Sequence, residues 1–321
     1  MTAVAPPAGR ERHAHETSAR VPWRGLVWVT WRQHRAALLA MLGLFVLAAV
    51  LLWLNHQTAT RFSPTISAEA LIRAAWLILL QFMPVLAGAF LGAPLVAREL
   101  ENGTARLAWT QEAGRIRWLV AEVVPVTAVL AVAAAAIGLE LRWLLARPAW
   151  TGPGTWSPAR FDLRPLPFAG WLTLGFCLGV FLGAAIRRTV PAMAATLGCY
   201  AALLYVTSLW WRMHYLPPLH RPLPHVLVGP EYSYGYGIPL TSGPGDYVLS
   251  AAPGRPDGRL LTSAQLDHPA SWFRLHHIRL WVTYQPGSRF GLFQVIEFGW
   301  LIVLATILMT VAAVLIRRRA A

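Results

Sequence analysis

Lysine is absent from all 321 residues, so every basic side chain other than histidine is an arginine. A P-loop of the form G-x-x-x-x-G-K-[ST] uses its lysine to hold the β- and γ-phosphates of a nucleotide, and Schiff-base chemistry needs a lysine amine. Neither is available, and the chain is not expected to hydrolyse ATP by itself. Charge is scarce too: 13% of residues are charged while 56% are hydrophobic, against about one quarter charged in soluble domains. Cysteine is limited to Cys177 and Cys199, both inside apolar segments. The loops therefore have no thiols for a disulfide framework, and the two cysteines are expected to pack as small apolar residues. No H-E-x-x-H, no G-x-S-x-G and no aspartate inside an apolar run occurs, which leaves an intramembrane enzyme without a recognised nucleophile, base or metal set. The histidines His214, His220, His225, His268, His276 and His277 match no compact ligand spacing, so no metal and no catalytic residue is assigned.

Six apolar runs are long enough to cross a bilayer at 1.5 Å per helical residue: Ala36–Leu54, Ala74–Ala97, Trp118–Leu139, Phe168–Ile186, Val190–Trp210 and Phe293–Ile316. The fold class read from them is an all-α membrane protein. Pro84, Pro94, Pro125 and Pro191 lie in or at the edges of these runs and predict bends in the second and third spans. The formal charge of +14 does not point to nucleic acid, because the arginines are dispersed over many short loops and form no continuous basic face. They concentrate instead on one side of the spans, at Arg10, Arg12, Arg20, Arg24, Arg32, Arg35, the segment 98–117, Arg187–Arg188 and Arg317–Arg319. The positive-inside rule places that side, with both termini, in the cytoplasm.

The domain organisation follows from this: a mobile cytoplasmic tail over 1–20, an amphipathic interfacial helix over 21–35, spans one to five over 36–211, an extracellular loop domain over 212–292, a sixth span over 293–316 and a tail over 317–321. No apolar h-region precedes the first span, so a cleaved signal peptide is not expected. Helix 21–35 is predicted from Trp23, Leu26, Val27, Thr30 and Trp31 at helical spacing, with Trp28 beside them and Arg24, Arg32 and Arg35 on the other side. Proline and glycine punctuate the long loop, where Tyr247–Ala251 and Arg259–Thr262 read as a hairpin.

The segment 98–117 carries the most specific pattern. Asn102-Gly103 can end a helix in the left-handed conformation and Thr104 can cap the next one, giving a short crosswise helix with Ala105, Ala108 and Trp109 on one face. Glu99, Glu101, Gly103, Thr104, Leu107 and Arg115 make this stretch similar to the second intracellular loop of ABC type-2 exporter permeases, with Arg106 where an acidic residue is common and Ala113-Gly114 in place of Pro-x-Ser. The stretches Trp28–Arg35, Leu107–Gln111 and Thr283–Phe290 with Phe293 and Glu297 look like an actinobacterial-style branch of the same permeases.

That resemblance implies an ATPase-coupling loop formed by Glu99, Glu101, Gly103, Thr104, Arg106, Leu107, Trp109 and Arg115, docking on a separate cytoplasmic ABC ATPase that carries the ATP and magnesium. It implies a homodimer or heterodimer with a second permease in the bacterial plasma membrane, working by alternating access. It also implies a pathway flanked by Gln81, Tyr200 and Tyr205, and a re-entrant gate over Phe290–Glu297. A carboxylate such as Glu297 inside a span needs a partner, and Arg289 and Arg212 are the candidate counter-ions. Glu122, near the cytoplasmic end of the third span, is expected to snorkel or to pair with a loop. Two other classes stay open on residues alone: a non-transporting membrane sensor or scaffold whose long loop binds a ligand, and an intramembrane enzyme of unrecognised arrangement.

Overall fold

Backbone N–H and C=O groups that cannot bond to water must bond to each other, and long apolar runs therefore coil into helices. The computed structural model describes residues 23–58, 68–102, 115–145, 156–227, 246–266 and 268–319. Its helices are α1 (Trp23–Thr58), α2 (Ala68–Leu86), α3 (Ala93–Glu101), α4 (Arg115–Leu145), α5 (Pro158–Phe161), α6 (Pro165–Ile186), α7 (Thr189–Val206), α8 (Ser263–Leu266), α9 (Ala270–Leu275) and α10 (Phe290–Arg319). Five described stretches are long and apolar enough to cross a membrane: Leu77–Glu101, Ile116–Leu144, Pro165–Ile186, Thr189–His214 and Gly287–Arg318. The first expected span appears as a shorter apolar stretch, Leu38–Leu54, within α1. The protein is thus a multi-pass helical membrane protein, and the count of six becomes five full-length stretches and one shorter one. No break separates residues 23–35 from the first apolar run, because α1 is one continuous helix.

Proline explains the bend in the second span. Between Pro84 in α2 and Pro94 in the first turn of α3, residues Ala87–Gly92 form a π-helical segment, in which the Ala93 N–H reaches back five residues to the Gly88 carbonyl. Pro94 has no N–H to offer the preceding turn, so the wider turn re-satisfies the backbone. Pro125, by contrast, sits inside an unbroken α4.

Helix α6 is the hub. It packs against α10, α4, α3, α7, α2 and the π-helical segment, and 78% of its apolar window is buried against protein, compared with 22% for the windows of α7 and α10. Those two therefore turn most of their apolar surface outward. The approach of α6 to the second span depends on glycine at every fourth position, Gly175, Gly179 and Gly183, facing Gly88 and Ala93. A Cβ added at Gly179 would overlap the Gly88 carbonyl oxygen and stand 2.8 Å from the Ala93 nitrogen. Lacking side chains, the two backbones meet directly, the small-residue packing that replaces the hydrophobic effect inside lipid.

Helix α6 ends at Arg187, which takes the left-handed conformation at φ 61° and donates its N–H to the Gly183 carbonyl. The chain then turns through extended Arg188 into α7. At the other end of the bundle lies a three-stranded antiparallel sheet of β1 (Leu219–Leu227), β2 (Tyr247–Gly254) and β3 (Arg279–Gln285), with β3 central. The hairpin expected between 247–251 and 259–262 is corrected here: β2 pairs with β3, and residues 259–262 contribute only an isolated bridge between Gly254 and Leu260. Leu280, Val282 and Tyr284 alternate inward along β3, which makes it the better partner.

Glycine stripes of this kind predict a sharp contrast between positions. Gly179→Leu should cost about 3 kcal/mol, through overpacking against fixed backbone. Gly198→Leu, where an added Cβ meets nothing within 4 Å, should stay within about 0.5 kcal/mol. Thermal unfolding in detergent checks the difference, and equal melting of the two variants would contradict the packing described.

Candidate functional site

A charged side chain at membrane depth costs free energy unless neighbours replace the water it loses. Three such side chains converge where the bundle meets the sheet. Glu297 lies in the second turn of α10, fully buried, with Arg212 and Asp162 both at least nine-tenths buried beside it. Arg212 stands where α7 opens into a second π-helical turn, Thr207–Trp211, followed by a 3-10 turn over Arg212–His214. Asp162 lies in the tight connection from α5 to α6, closed by the Arg164 N–H donating to the Phe161 carbonyl at 3.1 Å.

The geometry is a fork. Arg212 donates from Nε to Glu297 Oε2 at 2.8 Å and from Nη2 to Glu297 Oε1 at 2.7 Å, and Nη2 also donates to Asp162 Oδ1. Trp171 Nε1 donates to Glu297 Oε1 at 2.8 Å, and the Tyr215 hydroxyl donates to Oε2 at 3.1 Å. Trp300 Nε1 in turn donates to the Tyr215 hydroxyl at 2.8 Å. Glu297 thus accepts four hydrogen bonds, the full capacity of a carboxylate, and planar bidentate pairing of this kind is what a guanidinium does best. The other face of Arg212 lies 4.2 Å from the Phe161 ring centre, a cation–π contact.

Two carboxylates share one guanidinium, and the imbalance shows outside the spans. Burial pushes the Asp162 carboxyl up to about 7; Arg212 opposes the rise and Glu297 adds to it. Burial also raises the Tyr215 phenol, and the Glu297 carboxylate raises it further. Both shifts favour forms that add no further negative charge to the cluster.

Aromatic rings roof this cluster. Trp156 stacks on Phe161 and Tyr247 and meets Phe290 and Phe293 edge-on. A small cavity lies beneath, lined by Trp156, Ser208, Arg212, Met213, Tyr247, Gln285 and Phe293. A second cavity beside the cluster is lined by Gln81, Pro84, Asp162, Leu163, Phe168, Trp171, Tyr200 and Leu204. Of the expected pathway residues, Gln81 and Tyr200 therefore share one cavity next to Asp162. Tyr205 does not reach it: it is 66% exposed on the outward apolar face.

Of the two candidate counter-ions, Arg212 holds Glu297, while Arg289 donates to the Pro217 carbonyl at 2.8 Å and to Gln285 Oε1 at 3.0 Å. Phe290 joins the aromatic roof. Phe290 and Glu297 lie in the first turns of α10, which runs unbroken from Phe290 to Arg319. Glu122, expected to snorkel or to pair with a loop, is buried. Asp162, Trp171 and Tyr215 were not singled out from sequence; Asp162 is three residues ahead of α6, and a tryptophan indole is easily read as belt or core.

At the opposite end of the bundle, Glu101 Oε2 accepts from the Thr189 N–H at 3.0 Å and from the Thr189 hydroxyl at 2.7 Å. The last residue of α3 thereby caps the first residue of α7, a carboxylate at the positive end of a helix. Glu99 is half-buried one turn-face away. Gly103, Thr104, Arg106, Leu107 and Trp109 lie outside the described residues, and Arg115 is the first residue of α4. In α1, Trp28 and Trp31 are exposed, Arg35 likewise, and the Arg32 guanidinium lies 5.4 Å from the Trp28 ring centre; the side chains of Trp23 and Arg24 lie outside the description. Among the described residues no group of His, Cys, Asp and Glu is arranged to hold a metal.

Removing one partner of the buried fork should be far costlier than its size suggests. Arg212→Met leaves Glu297 and Asp162 buried without their cation, and a loss of about 3–5 kcal/mol is expected. The yield and melting temperature of the detergent-solubilised variant read this directly; a variant melting like wild type would contradict the arrangement.

Residues 55–212 match the family model described as ABC-2 membrane transporter related. The matched stretch contains Glu101, α6, α7, Asp162 and Arg212, and it supports an ABC-2 type permease. No curated protein and no solved structure matches the chain.

Proposed function

We propose that this chain, an ABC-2 type permease by its 55–212 match, forms half of the translocation pathway of an ABC exporter and is driven by a separate ATPase subunit through alternating access. In this reading the chain crosses the plasma membrane six times with both termini in the cytoplasm, Leu38–Leu54 of α1 being the first crossing. It works as a homodimer or heterodimer, and the outward apolar faces of α7 and α10 are available to a second permease or to lipid. The absence of lysine, and with it of a P-loop, supports a motor supplied in trans.

One observation carries the coupling: α7 is held at both ends by charge. Its first residue is capped by Glu101 at the edge of segment 98–117, and its far end delivers Arg212 to Asp162 and Glu297. The stretch Thr189–His214 counts 26 residues, about 39 Å of helix at 1.5 Å per residue. A push on the coupling segment, where Trp109 is the docking side chain, moves α3. The Glu101 cap passes that displacement to α7, and α7 passes it to the charge cluster that joins α6, α10 and the sheet. Rigid-body rocking of α7 against the glycine-packed hub is the alternating motion.

The test separates docking from coupling. Co-expressed with its cognate ABC ATPase, the chain should co-purify with that ATPase. Trp109→Ala should lower the retained ATPase roughly tenfold, a change of about 1.4 kcal/mol. Glu101→Gln should retain the ATPase but lower transport-linked ATP turnover. Unchanged retention and unchanged turnover in both variants would refute the assignment.

A further inference from the structure

One cavity gathers polar atoms that the charge cluster leaves unused. Gln81 from α2, Asp162 from the α5–α6 connection and Tyr200 from α7 all line it. Asp162 and Tyr200 are 5% and 2% exposed. Asp162 accepts from Arg212 through Oδ1. Among the described residues its Oδ2, the Gln81 carboxamide and the Tyr200 hydroxyl make no hydrogen bond. Buried polar atoms ordinarily have partners. Three side chains with unpaired oxygens around one space mark a place for a donor that the chain does not supply.

The missing donor is also positive. Glu297 and Asp162 share the single guanidinium of Arg212, and Arg212 and Glu297 are the charges that bear on Asp162. The ionised cluster thus carries one net negative charge, which a cation beside Asp162 neutralises. The walls select the kind of cation. Phe168, Trp171 and Tyr200 line the cavity with aromatic rings, and those of Trp171 and Tyr200 meet edge to face at 5.5 Å between centres. Aromatic walls beside a carboxylate favour an organic ammonium, whereas a hard metal ion seeks about six oxygen ligands. The space admits roughly one water-sized group. That suits a compact ammonium with three N–H donors better than a planar guanidinium.

We propose that this cavity binds the primary ammonium head of an organic cation, whose three N–H groups donate to Asp162 Oδ2, Gln81 Oε1 and the Tyr200 hydroxyl oxygen. The head enters the cavity and the body of the ligand stays outside it. Asp162 supplies the opposite charge, and Trp171 is shared between the cavity wall and the Glu297 carboxylate, to which its indole N–H donates. Taken as the head of a transported substrate, the ligand rests on the permease reading; taken as a ligand of the chain, it needs neither ATPase nor nucleotide.

Saturation-transfer NMR on the full chain in detergent tests this with benzylammonium, benzyl alcohol and benzoate, which share a ring and differ in the charge of the head. Against a blank of empty micelles, benzylammonium should bind in preference to the other two, and sodium chloride at equal concentration should not displace it. Asp162→Asn should weaken benzylammonium at least about ten-fold, and Tyr200→Phe and Gln81→Leu about five-fold each, as expected for hydrogen bonds to a charged group. Tyr200→Phe keeps the ring that packs on Trp171, so its effect is read in a folded protein, with melting temperature measured alongside. Arg255→Gln, in the loop after β2, should leave binding unchanged. Equal binding of benzylammonium and benzyl alcohol, displacement by sodium, or undiminished binding in both Asp162→Asn and Tyr200→Phe would each overturn the proposal. A chain that co-purifies with its cognate ATPase but does not bind benzylammonium would overturn this site and leave the permease reading standing.

Discussion

Arg212 is the residue on which the sheet end of this molecule depends. One guanidinium reaches across to Glu297 on α10 with two bonds and to Asp162 at the head of α6 with a third. Its own backbone closes the end of α7. Three chain segments far apart in sequence are thus pinned at a buried point where an unpaired charge is expensive. Trp171 and Tyr215 complete the shell, and the aromatic roof of Trp156, Phe161 and Phe293 seals it from the sheet above. Lateral packing of the bundle rests on something quite different, the bare backbone contact of Gly175, Gly179 and Gly183 with the π-helical turn of the second span. Glycine sets how close the helices come, and Arg212 sets which ends stay together.

These two devices divide the bundle into an enclosed helix and a more exposed one. Helix α6 is enclosed by neighbours and locked by glycine, whereas α7 touches the rest mainly along one face and is tied at its tips. Helix α7 packs along that face on α6, α3, α2 and the first π-helical turn, and its two tips are fixed by Glu101 and Arg212. Both π-helical turns lie along these elements, one where the second span meets α6 and the other just before Arg212. Wide turns of this kind are a recurrent mark of functional positions.

Much of this could be read from the residues themselves, and the remainder for stated reasons could not. Apolar run length marked five membrane-crossing stretches and the shorter one in α1, and Pro84 and Pro94 marked the bend between α2 and α3. Glu297 stood out as a carboxylate in an apolar run, with Arg212 as one of two candidate partners. Asp162 escaped notice because it lies between Trp156 and Pro165 in a polar connection, where a carboxylate ordinarily meets water; only the tertiary fold buries it. Strand β3 escaped because its alternation, Leu280, Val282 and Tyr284, sits beside a run of Pro and Gly turns that suggested a different hairpin. The glycines of α6 carried no reading from the residues alone, because what they face is a π-helical turn that shifts the register of the neighbouring helix. Continuity of α1 and α10 through the expected boundaries shows that an amphipathic pattern and an apolar run can share one helix.

The most direct test of Arg212 as an organising charge is a comparison of single and combined neutral variants in thermal unfolding. Arg212→Met leaves two buried carboxylates without their cation, Glu297→Gln and Asp162→Asn each leave one carboxylate to the guanidinium, and the triple variant removes all three charges together. The account predicts that the triple variant is more stable than Arg212→Met alone, with a coupling of about 3 kcal/mol between the sites. Additive losses, with the triple variant the least stable of all, would contradict a shared buried ion cluster and with it the pinning of α6, α7 and α10 at one point.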